Sequence, residues 1–83
     1  LARRPASATF ERNDAALAAL SITLREQEVL GELAAGRSNK EIAQKLGVSP
    51  NTVKTHIASL YQKLEVQRRT QAIQKARELA LIP

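Results

Sequence analysis

Apolar residues recur at helical spacing in four separate blocks between Thr23 and the C-terminus. The first block opens at Thr23, where T-L-R-E forms a capping box with Glu26 reaching back to the helix start. Leu24, Val29, Leu30, Leu33 and Ala34 supply its apolar stripe, and Gly36 stops it. Gly31 sits inside this helix at a cost of about 1 kcal/mol against alanine. Close helix approach and plain tolerance are both open readings of it. The second block repeats the device with Ser38-Asn39-Lys40-Glu41, followed by inward-facing Ile42, Ala43 and Leu46. Gly47 then provides a left-handed residue that ends the helix and turns the chain, with Val48 packed behind the turn.

Ser49 caps the third helix and Pro50 takes its first position, where a missing N–H is harmless. Val53, Ile57, Leu60 and Leu64 recur at four-, three- and four-residue steps, with Tyr61 beside them. At about 100° per residue they form one stripe. Thr55 and Gln62 then lie opposite the core, with Asn51, Ala58 and Ser59 near them. Lys54 falls on one flank, and Thr52, His56 and Lys63 on the other. A fourth helix starts at Arg68-Arg69-Thr70 and turns Ala72, Ile73, Ala76, Leu79 and Ala80 inward. Upstream, residues 1–20 read as linker, with a short helix near 14–20 capped by Asn13 or Asp14. The fold class expected is all-α: a four-helix bundle over residues 21–83 containing a helix-turn-helix without a wing.

The eight-residue second helix, its glycine turn and the longer third helix carry the helix-turn-helix expectation. The second member of such a pair must pack one face and leave the other free of large apolar groups. The third helix has both. Asn51, Lys54, Thr55 and Ala58 are small or hydrogen-bonding, which lets a helix sit deep in a groove. Lys54 suits guanine acceptors, Asn51 suits adenine, and Thr55 or Ala58 suits a thymine methyl. The second helix would cross the backbone and present Asn39 and Lys40 to phosphates.

Charge adds to this picture because it is unevenly spread. The net charge is +5, and nine basic residues lie between Arg37 and Arg77 against only Glu41 and Glu65. From Glu11 to Gly36 the sign reverses. A basic half facing a polyanion is the electrostatic footprint of nucleic-acid binding. A merely solvated basic surface is the plainer reading of charge alone.

Composition narrows the chemistry further. With no cysteine and one histidine, His56, thiolate sites and histidine clusters are excluded, so no metal or cofactor is expected. His56 also lacks a cysteine partner or an evident acidic orienter for nucleophilic catalysis, and there is no glycine-rich phosphate loop. An enzyme is not expected. Phe10 and Tyr61 are the only aromatics, so aliphatic packing must supply the core of this 83-residue chain. No apolar run approaches the roughly 18 residues of a membrane span. The start at Leu1, without an initiator methionine or signal peptide, reads as a piece of a longer protein.

The run from Ile22 to Ile73 resembles the LuxR-type (GerE-type) helix-turn-helix domain. The matching elements are T-x-R-E-x-E-V-L at Thr23, G-x-S-N-K-E-I-A at Gly36, V-S-x-x-T-V-K-T-H-I at Val48, L-Y-x-K-L-x-V at Leu60 and R-T-Q-A at Arg69. Any one element is common; the ordered set is specific. The resemblance implies the output domain of a bacterial transcriptional regulator, with the third helix in the major groove and dimerisation through the fourth on a two-fold-related site. By position it makes Lys54, Thr55 and Ala58 base-reading candidates, with Asn51 added from the helix face. Asn39, Lys40, Thr52, His56 and Lys63 become backbone-contact candidates, and Glu26 takes a structural role. Ala58 stands where some members carry a longer polar side chain.

On the fourth helix, Ile73, Ala76, Arg77 and Leu79 are the dimerisation candidates. Double-stranded DNA is the expected partner, with RNA polymerase a second and a weak homodimer a third, in a cytoplasmic, nucleoid-associated setting. The ending L-Y-Q-K-L-x-V-x-x-R-x-x-A-I-Q-x-A further resembles large ATP-dependent regulators of the maltose-activator (MalT) type, although receiver-domain response regulators share most of the motif. The fourth region of sigma factors and a pure protein-interaction module are the competing readings. The substantial fourth helix counts against the former.

Overall fold

A computed structural model describes residues 11–83. Residues 1–10 of the linker expected over 1–20 lie outside them. In chain order the helices are α1 (Asp14–Ala19), α2 (Leu24–Ala34), α3 (Asn39–Leu46), α4 (Pro50–Leu64) and α5 (Arg69–Glu78). The class is all-α, and the short helix expected near 14–20 is present as a fifth element. Among the described residues no helix is long and apolar enough to cross a membrane.

Local chemistry accounts for the boundaries. Thr23 Oγ1 accepts from the Glu26 N–H at 3.1 Å while Glu26 Oε1 accepts from the Thr23 N–H at 3.0 Å. Ser38 and Glu41 repeat the exchange at 3.2 and 2.8 Å. α5 opens differently: Gln71 Oε1 accepts from the Gln67 and Arg68 N–H groups, and no hydroxyl cap is involved.

α4 is the central element, packing against α2, α3 and α5. Val53, Leu60 and Leu64 are buried from it, and Ile57 and Tyr61 are half-buried against the same core. Burial of each large aliphatic contributes about 1.5–3 kcal/mol, more than a typical cap. Packing therefore fixes where α4 lies, and the caps fix where it starts.

Three features depart from expectation. Leu24 is 76% exposed, and its place inside is taken by Glu26, which is 4% exposed. At about 100° per residue Leu24 points roughly 170° away from the mean direction of Glu26, Val29, Leu30 and Leu33. Gly31 makes no close helix approach: a Cβ built there meets nothing within 4 Å. Lastly, the chain past α5 is part of the core. Ala80 adopts φ +57, the Leu81 N–H donates to the Ala76 carbonyl at 2.8 Å, and Leu81 and Ile82 are buried. The Asn13 N–H donates to the Ala80 carbonyl at 2.8 Å, joining α1 to this tail, and Leu17 of α1 enters the same cluster.

Candidate nucleic-acid interface

The turn between α3 and α4 is built from three residues. Gly47 caps α3 at φ +70, ψ 32, and the Val48 N–H returns to the Ala43 carbonyl at 3.0 Å. Ser49 Oγ then accepts from the Thr52 N–H at 3.1 Å, and Pro50 is the first helical residue. An abrupt stop and a pre-capped restart allow two helices to meet steeply without a loop between them. Over 15 residues α4 extends about 22 Å, long enough to span a groove.

Its outward edge carries the side chains expected there. Asn51, Lys54, Thr55, Ala58 and Gln62 are all exposed, and no large apolar group interrupts them. Thr52 and His56 are half-buried on the flank. Lys40 is exposed and Asn39 half-buried at the start of α3. There the capping box engages the N–H groups of Ser38 and Glu41. The first-turn N–H groups of Asn39 and Lys40 are left for an outside acceptor. The α3 start and the α4 edge therefore offer donors and small groups together.

Lys63 is placed differently from the sequence expectation. Its ammonium donates to Glu26 Oε1 at 2.6 Å and to the Ser21 carbonyl at 2.6 Å. Burial by itself would raise the Glu26 carboxyl. Hydrogen bonds from Lys63, Ser59 and the Thr23 N–H outweigh it and hold the carboxyl at about 2. Lys63 is thus a counter-ion for a buried carboxylate and not a free phosphate donor, because a cation on α4 was required once Glu26 turned inward. Ala76, expected at a dimer contact, is 0% exposed within this chain's own core. It is unavailable to a partner.

Other basic residues are also spoken for. Glu32 accepts from Arg37 Nε at 2.6 Å and pairs with Lys45 Nζ at 3.1 Å, and these contacts, the Lys45 hydrogen bond foremost, lower its carboxyl. Arg69 places its guanidinium on the carbonyls of Leu33 in the last turn of α2 and of Arg37 in the α2–α3 connection. Among the described residues Lys40, Lys54, Arg68, Lys75 and Arg77 make no ion pair. Of these, Lys40 and Lys54 belong to the helix-turn-helix. The role of Arg69 was missed from sequence, since nothing in an R-R-T triplet says which arginine folds back. The free positive charge is smaller than the composition implies.

Comparison with known proteins adds to this geometry. Residues 20–76 match the profile of the family described as GerE: bacterial regulatory proteins, luxR family. The chain belongs to the LuxR family. Over 57 residues it is 49% identical to the CsgBAC operon transcriptional regulatory protein of Escherichia coli, covering 69% of this chain and 26% of that protein. Over 58 residues it is 50% identical to the HTH-type transcriptional regulator MalT of Serratia proteamaculans, covering 70% of this chain and 6% of that one. The chain therefore spans about a quarter or less of these relatives, and MalT-type regulators are among them. The solved structure of the transcription factor GerE superposes with a TM-score of 0.71 at 37% identity, covering 75% of this chain and 92% of GerE. The LuxR-family match takes in α2, α3, α4 and most of α5. All of α1 and the Leu81–Ile82 tail lie outside it.

Proposed function

We propose that this LuxR-family domain is the sequence-specific DNA-binding output domain of a bacterial transcriptional regulator, with α4 entering the major groove. The observation that carries the reading is the contrast within α4. One face is fixed by α2, α3 and α5, and the opposite edge is exposed, free of bulky apolar groups and headed by Lys54. Asn51, Lys54, Thr55 and Ala58 face the bases. Asn39, Lys40, Thr52 and His56 serve the phosphates, aided by the first-turn N–H groups of α3. Lys63 leaves that set because its ammonium is already paired. The similarity to transcriptional regulators supports the same reading.

On a two-fold-related site, two copies would meet through the outer face of α5, with Ile73, Arg77 and Leu79 the remaining contact residues. RNA polymerase is the second partner in this reading, in a bacterial cytoplasm at the nucleoid, and no cofactor or catalytic step is assigned. The test is DNA retention as a function of salt. A groove binder releases counterions, so affinity should fall steeply as salt rises. Absent or salt-insensitive retention would assign the domain to protein interaction instead. Binding that required core polymerase would assign it to the sigma-factor class.

A further inference from the structure

We infer that the reading edge of α4 recognises the 5-methyl group of thymine through the Thr55 and Ala58 methyls, and that the Thr55 hydroxyl donates its proton to the backbone and not to a base. This deepens the proposed function and rests on α4 being the groove-entering helix. The starting observation is that Thr55 Oγ1 donates to the Asn51 carbonyl at 3.1 Å, one turn back along the helix. A threonine β-carbon carries one hydroxyl and one methyl. When the hydroxyl lies against the preceding turn, its proton is spent on the backbone and the methyl becomes the outward group.

Two neighbouring hydroxyls are engaged with each other. Ser49 Oγ and Thr52 Oγ1 stand 2.9 Å apart, and Ser49 Oγ also accepts from the Thr52 N–H. Ala58, three residues after Thr55, is exposed and has only a methyl to offer. Residues three apart are neighbours on a helix surface, about 5–6 Å between β-carbons. The two methyls thus form one small apolar strip, with the Asn51 amide and the Lys54 ammonium as the polar heads beside it.

In the major groove the only apolar mark on a base pair is the thymine 5-methyl. A methyl strip flanked by a cation and an amide therefore fits thymine next to a pair that offers acceptors.

The experiment begins with the 83-residue chain and a random DNA pool, from which the preferred site is selected. Each thymine in that site is then replaced singly by deoxyuracil, which keeps pairing and removes only the methyl. At one or two positions the wild-type chain should lose about three- to fivefold in affinity per methyl removed. Thr55→Val keeps the methyl and should keep the uracil sensitivity at every position where the wild type shows it. Thr55→Ser keeps the hydroxyl and should lose about threefold, together with the sensitivity at one position. The inference is overturned if Thr55→Ser retains binding while Thr55→Val loses it, or if uracil has no effect at any position. A pool in which no site is enriched would instead refute the DNA-reading function, and this inference with it.

Discussion

Glu26 and Lys63, 37 residues apart in sequence, meet at 2.6 Å and tie the first turn of α2 to the last turn of α4. The same carboxylate closes the α2 capping box, so one side chain sets both where α2 begins and how α4 lies against it. A pH dependence follows. The carboxyl sits at about 2 in the fold against an ordinary 4.5, so the folded state favours the charged form. Its contribution is complete above about pH 4.5 and is lost as pH falls through about 2. The amount is on the order of 2–3 kcal/mol. Urea unfolding from pH 7 to pH 2.5 should show Glu26→Gln destabilised at neutral pH and less acid-sensitive than wild type. Parallel curves for the two proteins would remove Glu26 as the cause.

Gly31 and Gly47 should respond oppositely to alanine. At Gly31 the helix interior is exposed and a Cβ meets nothing, so Gly31→Ala should stabilise by about 0.5–1 kcal/mol. Space is equally open at Gly47, but φ +70 disfavours a side chain, and Gly47→Ala should destabilise by about 1–2 kcal/mol. Thermal melts followed by circular dichroism decide both signs.

The two adjacent arginines at the start of α5 should separate by assay. Arg69 holds one carbonyl of α2 and one of the α2–α3 connection, so Arg69→Ala should cost about 1–2 kcal/mol of stability and leave the salt slope of DNA binding unchanged. Arg68 is exposed and unpaired, so Arg68→Ala should leave the melting curve in place. A reduced salt slope for Arg69→Ala, without loss of stability, would make it a phosphate contact instead.

Self-association should be weak. With Ala76 enclosed in the core, the outer face of α5 offers only half-buried Ile73 and Leu79 beside polar Thr70, Gln74 and Arg77. Sedimentation at micromolar concentration without DNA should report a monomer. A tight dimer would mean that another surface carries the association.

Much of this architecture was legible because its boundaries are chemical and local. Thr23-Glu26, Ser38-Glu41, Gly47 and Ser49-Pro50 each act within a few residues, and each stands where the pattern placed it. The edge of α4 followed from periodicity, since Val53, Leu60 and Leu64 define the opposite face. What escaped was non-local. By periodicity Lys63 is any flank lysine, and only the fold shows Glu26 in the inward position expected for Leu24. Leu81 and Ile82 follow a left-handed Ala80, where helical periodicity carries no information. Arg69 and Glu32 similarly act across elements that only the tertiary fold brings together.

The central claim is that Lys54 and its neighbours on α4 read bases and do not merely hold the backbone. Lys54→Ala, measured at one salt concentration on the selected site and on unrelated duplex DNA, tests it most directly. The expected result is a loss of about 1–3 kcal/mol on the selected site with little change on unrelated DNA, so that the specificity ratio falls. Equal loss on both would contradict the account, reducing Lys54 to a phosphate contact and moving sequence reading away from this edge.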